Sequence, residues 1–530
     1  MRGVESTAVA EFGVRVREMM EAAGKALAEE IIQTKNIQNV LAAAGPGNNG
    51  GDGIAAARFL FAEGKNVTIL LAVEPSKLKD EPLHQFRMAA EAGIPIIEPS
   101  SPHYSAELQR FGEFDAIIDA LLGTGARLPV EGTIRQIIEA VNDSPALIVS
   151  ADIPTGIDCD TGRAFGEHVF ADRTLTFGLA KPFLFCAEGI AASGAWRIVD
   201  IGLPLELIAN VGTAFMIEDT WAFTRLPRRN VHSHKRSSGV VLVIAGSRSF
   251  PGAASLTARG AYRAGAGLVL VATVEEAAQS VRATLPESPV EVVPSQDGFL
   301  NPEAIGKVIA MAERCDAVVI GPGIGREPCV GGFVDGLFSR MEAQWVVDAD
   351  ALWWLPEIRS HPSKPALLTP HNGEAARLLG CDHESVAGAR FSAIREITEK
   401  YSHQALLKGP HSLVCEADGE IGVNMTGSPQ LATAGTGDVL AGVAGAYLAV
   451  LGDPFQAGAL AAFVHGAAGE LLDAEYPGMM GALATEIADA IPKARKERFD
   501  RLVEAMESLE EDDEQWDEDF EEDDLDERLN

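Results

Sequence analysis

The chain's capacity for chemistry lies in oxygen-bearing side chains set among glycines at the ends of apolar runs. The first such run is Gly45-Pro46-Gly47-Asn48-Asn49-Gly50-Gly51-Asp52-Gly53. It lies between Val40-Leu41-Ala42-Ala43-Ala44, which reads as a buried parallel strand, and Ile54–Leu60, which reads as a helix. That places a ligand loop at a strand's carboxyl end, where open α/β sheets bind their ligands. Glycines let backbone N–H groups approach an anion, and the helix N-terminus adds partial positive charge. A plain tight turn is the alternative, although turning alone requires no two Asn and an Asp. Two more clusters follow strand-like runs: Asp119-Ala120-Leu121-Leu122-Gly123-Thr124-Gly125 and Asp152-Ile153-Pro154-Thr155-Gly156-Ile157-Asp158. Taken singly, Asp119 or Asp152 could be a helix N-cap. As the ends of neighbouring strands in one parallel sheet, all three clusters could line a single crevice.

The second half offers Ala434-Gly435-Thr436-Gly437-Asp438 opening the helix-like Val439–Ala449. Two glycines and an acid at a helix N-terminus present amide donors to a phosphoryl group with a base beside it. The plainer reading is a small-residue helix start with Asp as first-turn charge. Gly321-Pro322-Gly323-Ile324-Gly325 follows a strand over 317–320, and Lys408-Gly409-Pro410-His411-Ser412 is a further polar turn after a strand.

The elements that must position these groups alternate in type. Helices are expected near 15–32, 53–63 and 81–92, and strands near 38–44, 66–73, 114–119 and 146–151. From Gly239 the rhythm restarts with strands at 240–245, 267–273, 317–320 and 345–348. Between them Pro227-Arg228-Arg229-Asn230-Val231-His232-Ser233-His234-Lys235-Arg236 is polar and unpatterned. The division predicted is 1–212, a linker at 213–238, a second α/β domain at 239–495 and an acidic tail at 496–530. Two domains suit 530 residues, and 47% hydrophobic content with 53 glycines suits helices packed closely on sheets. No internal repeat links the halves.

The six cysteines show no CxxC pair or zinc spacing, which points to a reduced cytoplasmic protein. The longest charge-free apolar stretch, 439–452, is too short to span a bilayer. A net charge of −34 argues against nucleic-acid binding. Much of it sits beyond Leu509, a like-charge block expected to stay solvated and disordered. Gly442, Gly445, Gly458 and Ala461 put small residues on helix faces, for core packing or for subunit contacts, and a homo-oligomer is the expected state.

Asn48 to Gly53, Asp119 with Gly123-Thr124-Gly125, and Asp152 with Pro154-Thr155-Gly156 resemble the NAD(P)H-hydrate epimerase family. The match covers nearly the whole first half and implies a Rossmann-like, doubly wound sheet. It implies substrate contacts at Asn48, Asn49, Gly50, Gly51 and Asp52, along Gly123, Thr124, Gly125, Ala126, Arg127, Leu128 and Pro129, and at Asp152. It also implies a potassium ion held by Asn49, Asp119 and Thr155, oxygen donors that suit a hard cation. By the same resemblance Asp152 is the acid/base that interconverts the hydrate's C6 epimers, and Lys181 is a supporting charge. The family usually has Ser at Thr155, a change that keeps the hydroxyl, and Gly at Phe183.

The second half resembles the ribokinase-like superfamily, and within it the ADP- or ATP-dependent NAD(P)H-hydrate dehydratases. The narrower likeness rests on Ala245 to Ala254, Gly321 to Gly325, and Thr369-Pro370-His371-Asn372-Gly373-Glu374. It implies hydrate binding by Ala253, Gly325, His371 and Asp438, and nucleotide binding by Lys408, Gly409, Pro410, His411, Ser412 and Gly437. Asp438 would take the C6 hydroxyl proton as phosphoryl transfers to that oxygen, with Mg²⁺ neutralising phosphate charge. Pro286-Glu287-Ser288-Pro289-Val290 departs from the family's more apolar pattern. The two resemblances together imply a bifunctional repair enzyme acting on NADHX and NADPHX with ADP or ATP. The competing reading is a ribokinase-like small-molecule kinase carrying a non-catalytic ligand-binding domain; Thr369 to Glu374 and the fused first half disfavour it.

Overall fold

The computed structural model describes residues 2–125, 129–212, 214–229, 231–479 and 481–526, without the side chains of 2, 187, 210, 211 and 508–526. The chain divides into two compact units, Met1–Gly212 with Ala387–Ala389, and Thr213–Val386 with Arg390–Asn530.

The first unit is a seven-stranded sheet. Its strands are β1 (Asn39–Ala44), β2 (Asn66–Leu71), β3 (Ile96–Ile97), β4 (Ala116–Ala120), β5 (Leu147–Ala151), β6 (Arg173–Phe177) and β7 (Ala195–Val199), all parallel, in the order β3-β2-β1-β4-β5-β6-β7. Central β1 is buried from Val40 to Ala44, because helices cover both faces and a covered parallel strand needs no polar alternation. The chain runs outward from β1 through β3 and then returns to β4 on β1's other side. This reversal opens a gap above the carboxyl ends of β1 and β4.

The helix that follows β1 starts earlier than the sequence pattern predicts. It spans Asn48–Ala62 with Gly47 as N-cap, so most of the expected loop is its first turns. The glycines permit this by close approach. A Cβ at Gly50 would lie 2.0 Å from the carbonyl oxygen of Gly45, one at Gly53 would lie 2.4 Å from Cβ of Ala120, and one at Gly45 would lie 1.7 Å from the carbonyl oxygen of Leu121.

The second unit holds a ten-stranded sheet. Its members are β8 (Ala214–Ile217), β9 (Val240–Ile244), β10 (Leu268–Thr273), β11 (Val290–Val292), β14 (Ala317–Ile320), β15 (Trp345–Val347), β16 (Leu367–Leu368), β17 (Gln404–Leu407), β18 (Leu413–Cys415) and β19 (Ile421–Asn424). Two short strands, β12 (Ser295–Gln296) and β13 (Phe299–Leu300), form a separate hairpin. The order β11-β10-β9-β14-β15-β16-β17-β18-β19-β8 reverses between β9 and β14, placing a second gap above their carboxyl ends. Residues 213–238 are more than a connector: β8 pairs in parallel with β19, and the helix Asp219–Phe223 buries Ala222 and Phe223 in this unit's core. A four-residue apolar run between polar neighbours is too short to stand out by periodicity.

The closing helix runs Ala484–Asp526 and packs Phe499 and Leu502 against the core. The acidic block expected to be disordered lies beyond Glu507, where side chains are outside the described residues. Among the described residues no helix is long and apolar enough to cross a membrane.

The small-residue faces are core contacts. A Cβ at Gly442 would lie 1.9 Å from the carbonyl oxygen of Thr257, one at Gly260 would lie 2.3 Å from that of Val439, and one at Gly445 would meet Val319 at 2.3 Å. The helices Ala253–Ala264 and Thr436–Leu451 therefore approach backbone to backbone. Gly442→Ala should cost about 1–3 kcal/mol by overpacking. Gly306→Ala, on an exposed helix position with open space around it, should be neutral or stabilising. Urea unfolding of the two variants checks this, and equal midpoints would contradict the packing account.

Candidate active site

In the first unit a cavity of 510 Å³ lies at the β1/β4 gap, lined by Asn48, Asn49, Asp52, Gly123 to Gly125 and Asp152 together with Met19, Met20 and Phe177. Asn49 and Asp52 are three apart on the helix Asn48–Ala62 and so share one side of it. Gly50 and Gly51 point elsewhere, against Gly45 and the Met20 side chain, and do not line the cavity. Pro129 is exposed and outside the lining. Ala126, Arg127 and Leu128 lie outside the described residues.

Asp152 closes β5 with φ of +64°, a left-handed conformation that Asp adopts more readily than most residues. Three donors hold its Oδ1: Lys181 Nζ at 2.6 Å, the Phe177 amide at 3.0 Å and Thr176 Oγ1 at 3.4 Å. Among the described residues no hydrogen bond reaches Oδ2. Lys181 is itself buried behind Asp152, donating also to Thr176 Oγ1 and the carbonyl oxygens of Phe177 and Leu179. It orients the carboxylate and does not line the cavity. Asp52 makes no hydrogen bond or ion pair among the described residues, and burial, reinforced by Asp152 and Glu5, pushes its carboxyl well above the usual range.

Below the cavity lies an oxygen-rich cluster. Asp119 is fully buried and accepts from Ser150 Oγ at 2.8 Å, the Thr155 amide at 2.9 Å and Thr155 Oγ1 at 2.6 Å. Burial nevertheless raises its pKa, outweighing those hydrogen bonds. Thr155 Oγ1 also accepts from the Leu122 amide at 3.1 Å, and Gly123 abuts the Asn49 carboxamide. That carboxamide is buried with neither its oxygen nor its nitrogen hydrogen-bonded. An orphaned amide oxygen against Gly123, on the loop that follows β4 and its buried Asp119, which has no cationic partner among the described residues, fits a hard cation.

The second unit brings the phosphate-type groups together. Lys408 follows β17 and its Nζ lies 2.7 Å from Asp348 Oδ1 and 3.6 Å from Glu374 Oε2, while Thr369 Oγ1 donates to the same Asp348 oxygen at 2.7 Å. Burial opposes the charge on Lys408, but Asp348 and Glu374 hold its pKa above the ordinary value. A Cβ on Gly437 would meet only Lys408 Nζ, at 3.8 Å, so the first turn of Thr436–Leu451 faces open space beside an ammonium. Asp438 is next in that turn. Burial first, and then the charge of Asp348, push it up to about 7 against the pull of Lys408.

A 450 Å³ cavity runs from Lys408–Ser412 past Asn424 and Thr426 to Gly437, with Leu431, Leu440 and Ala462 supplying apolar walls. A second cavity of 250 Å³ is lined by His371, Gly373, Glu374, Arg326, Trp353 and Arg377. Ala253 packs toward Gly323, and Gly325 donates its amide to Asp350 Oδ2 at 3.0 Å; neither lines these two cavities.

His371 has a role that the sequence pattern contained but did not reveal. It caps the helix Asn372–Leu379: Nδ1 accepts from the amides of Gly373 and Glu374, and Glu374 accepts from the His371 amide. This is a capping box with His in place of Ser or Thr. Because Nδ1 is an acceptor, the neutral ring carries its proton on Nε2. Asp348 and Thr369 were missed although Asp348 ends an apolar strand as Asp119 does. The two unusual segments are structural: Phe183 is fully buried, and Ser288 Oγ donates to the carbonyl oxygen of Val269 in the turn into β11.

Fold and sites define an enzyme of two α/β units, a doubly wound parallel domain followed by a second, larger α/β domain with its own strand reversal. The family model described as YjeF-related protein N-terminus matches residues 16–183, and the one described as NAD(P)H-hydrate dehydratase matches residues 241–493. A bifunctional NAD(P)H-hydrate repair enzyme of Thermofilum pendens is 32% identical over 510 residues, covering 94% of this chain and 96% of that protein. One from Hyperthermus butylicus is 35% identical over 501 residues, covering 91% and 89%. The crystal structure of an ADP/ATP-dependent NAD(P)H-hydrate dehydratase from Bacillus subtilis, co-crystallised with ATP/Mg²⁺, aligns with TM-score 0.47 and 29% identity over 55% of this chain and 99% of its own. The chain belongs to the family of bifunctional NAD(P)H-hydrate repair enzymes.

Because burial raises Asp438, the folded protein binds its proton more tightly than the unfolded chain does, and stability falls as pH rises from the ordinary carboxylate range through about 7. Asp438→Asn should therefore raise the thermal midpoint at pH 8 and leave it near wild type at pH 4. A midpoint difference independent of pH would exclude burial as the cause.

Proposed function

We propose that the first unit interconverts the two C6 epimers of hydrated NADH and NADPH at the cavity holding Asp152. The second unit then dehydrates the S epimer to NAD(P)H with ADP or ATP as phosphoryl donor. The observation that carries the second assignment is Asp438, half-buried and lifted to about 7, in the first turn of a helix beside Lys408, with Gly437 of the same turn lining the nucleotide-sized cavity. The epimerase is assigned to 1–212 and the dehydratase to 239–495, with no catalytic role for 496–530. Free cysteines fit a cytoplasmic setting.

In the dehydratase Asp438 accepts the C6 hydroxyl proton as that oxygen attacks the terminal phosphorus of the nucleotide. A base near pH 7 holds a transferred proton without losing its charged form at neutrality. The amides of Gly435 to Gly437 and the Lys408 ammonium meet the phosphoryl oxygens. The C6–O bond then breaks with electrons supplied by the ring nitrogen, phosphate departs, and loss of a ring proton restores the dihydronicotinamide. Magnesium belongs on the nucleotide's phosphates in this reading. In the epimerase Asp152 offers Oδ2 to the C6 substituents while Lys181 fixes Oδ1 and the rotamer. Potassium held by Asn49, Asp119 and Thr155 would supply a fixed positive charge beneath the substrate.

The test supplies chemically hydrated NADH with ADP or ATP and follows the return of the reduced-nicotinamide absorbance; no return with either nucleotide rejects the dehydratase assignment. Asp438→Asn should slow conversion of the S epimer by about 10²–10⁴-fold and leave epimerisation intact. Asp152→Asn should do the reverse, so that S is repaired at the wild-type rate while R persists. Loss of both activities in either variant would contradict two separate sites. The wild-type dehydration rate should climb with pH and level off above about 7, since Asp438 acts only when ionised. A rate flat from pH 5 to 8 would remove Asp438 as the base.

A further inference from the structure

The basic run Pro227–Arg236 takes no part in either reaction. Within the second unit it helps to enclose a 390 Å³ cavity lined by Arg228, Arg229, Arg495, Ser238 and Tyr447 among others. A water takes roughly 30 Å³ of liquid, so there is room for an anion with a group attached. In a chain of net charge −34, none of these three arginines pairs with a carboxylate among the described residues.

Their charges are only partly met. Arg229 Nη2 donates to the carbonyl oxygen of Gly265 at 2.8 Å, and Arg495 Nη1 to that of Ala264 at 3.1 Å, capping the end of the helix Ala253–Ala264. Arg495 Nη2 reaches the carbonyl oxygen of Pro227 at 3.4 Å, and Arg228 lies 5.0 Å over the Phe499 ring. A helix end carries about half a negative charge, which leaves most of three guanidinium charges unbalanced. The second observation is Ser238. It is 8% exposed, it lines this cavity, and its side chain makes no hydrogen bond among the described residues. Tyr447 lines the same wall with its hydroxyl enclosed.

We propose that this cavity is a binding site for a phosphate group, free or carried by a nucleotide, with Arg228 and Arg229 as charged donors and Ser238 as a hydroxyl donor. It is separate from the nucleotide cavity at Lys408 and shares no lining residue with it.

Calorimetric titration of the full chain with inorganic phosphate and, separately, with AMP tests this. Wild type should bind at least one of them, and Lys408→Met should keep that site. R228Q/R229Q should weaken it at least about tenfold by removing two charge-assisted donors. Ser238→Ala, which removes only the hydroxyl, should weaken it about fivefold. Tighter binding of phosphate than AMP identifies the free anion as ligand, and the opposite order identifies the nucleotide-borne group. Should R228Q/R229Q fail to fold by circular dichroism, Ser238→Ala carries the test. Unchanged affinity in the folded variants, or loss of all phosphate binding in Lys408→Met alone, would overturn the proposal.

Discussion

Close backbone approach at the two sheet reversals is the constraint from which both sites follow. In the first unit Gly45 lies against Leu121, Gly50 against Gly45 and Gly53 against Ala120, so the helix Asn48–Ala62 is seated directly over the gap between β1 and β4. Only in that seat do Asn49 and Asp52 face the cavity, while Gly50 faces the backbone of Gly45 and Gly51 the Met20 side chain. In the second unit a Cβ at Gly321 would lie 1.8 Å from the carbonyl oxygen of Asp348, and Gly442 and Gly260 bring two helices into backbone contact. Those contacts set the height of the Gly435–Asp438 turn above the sheet. The glycines are thus structural, and the chemistry belongs to the side chains they place.

Burial without a matched counter-charge is the second organising effect. Asp152 and Asp348 each have a lysine at hydrogen-bond distance, which holds the carboxylate in one orientation. Asp52, Asp119 and Asp438 have no such partner, and burial raises all three. Leaving carboxylates so placed costs stability, and a fold retains them where a substrate or ion completes the arrangement. The orphaned Asn49 carboxamide belongs to the same pattern.

Much of this was legible in the sequence because apolar parallel strands that end in Asp are conspicuous. The runs ending at Ala44, Asp119 and Ala151 predicted a doubly wound sheet, and the Gly435–Asp438 turn was recognisable from residue types alone. The start of the helix at Asn48 was hidden because a run of Gly and Asn reads as loop by propensity, whereas packing against β1 and β4 overrides it. β8 was hidden because an edge strand of four residues carries too little periodicity. His371 looked like a ligand, yet its Nδ1 is committed to a helix cap; the Glu three residues on was the signal. Asp348 escaped notice because its importance lies in the distance to Lys408, sixty residues away.

Both units use the start of a helix after a strand, and they use it for different chemistry. At Asn48 the helix end meets side-chain oxygens and two carboxylates, Asp52 and Asp152, with no free cation lining the same cavity among the described residues. A phosphoryl group would be repelled there, whereas a neutral hydroxyl and a ring that must lose and regain it are well served. At Gly435 the helix opens on Gly435 and Gly437, and Lys408 stands beside Gly437, so the amide dipoles and an ammonium converge on one open volume. An anion is welcome there, and Asp438 is tolerated because it is easily protonated. One structural element therefore supports isomerisation in one unit and phosphoryl transfer in the other, the choice resting on whether a lysine brought in after another strand stands beside the helix start.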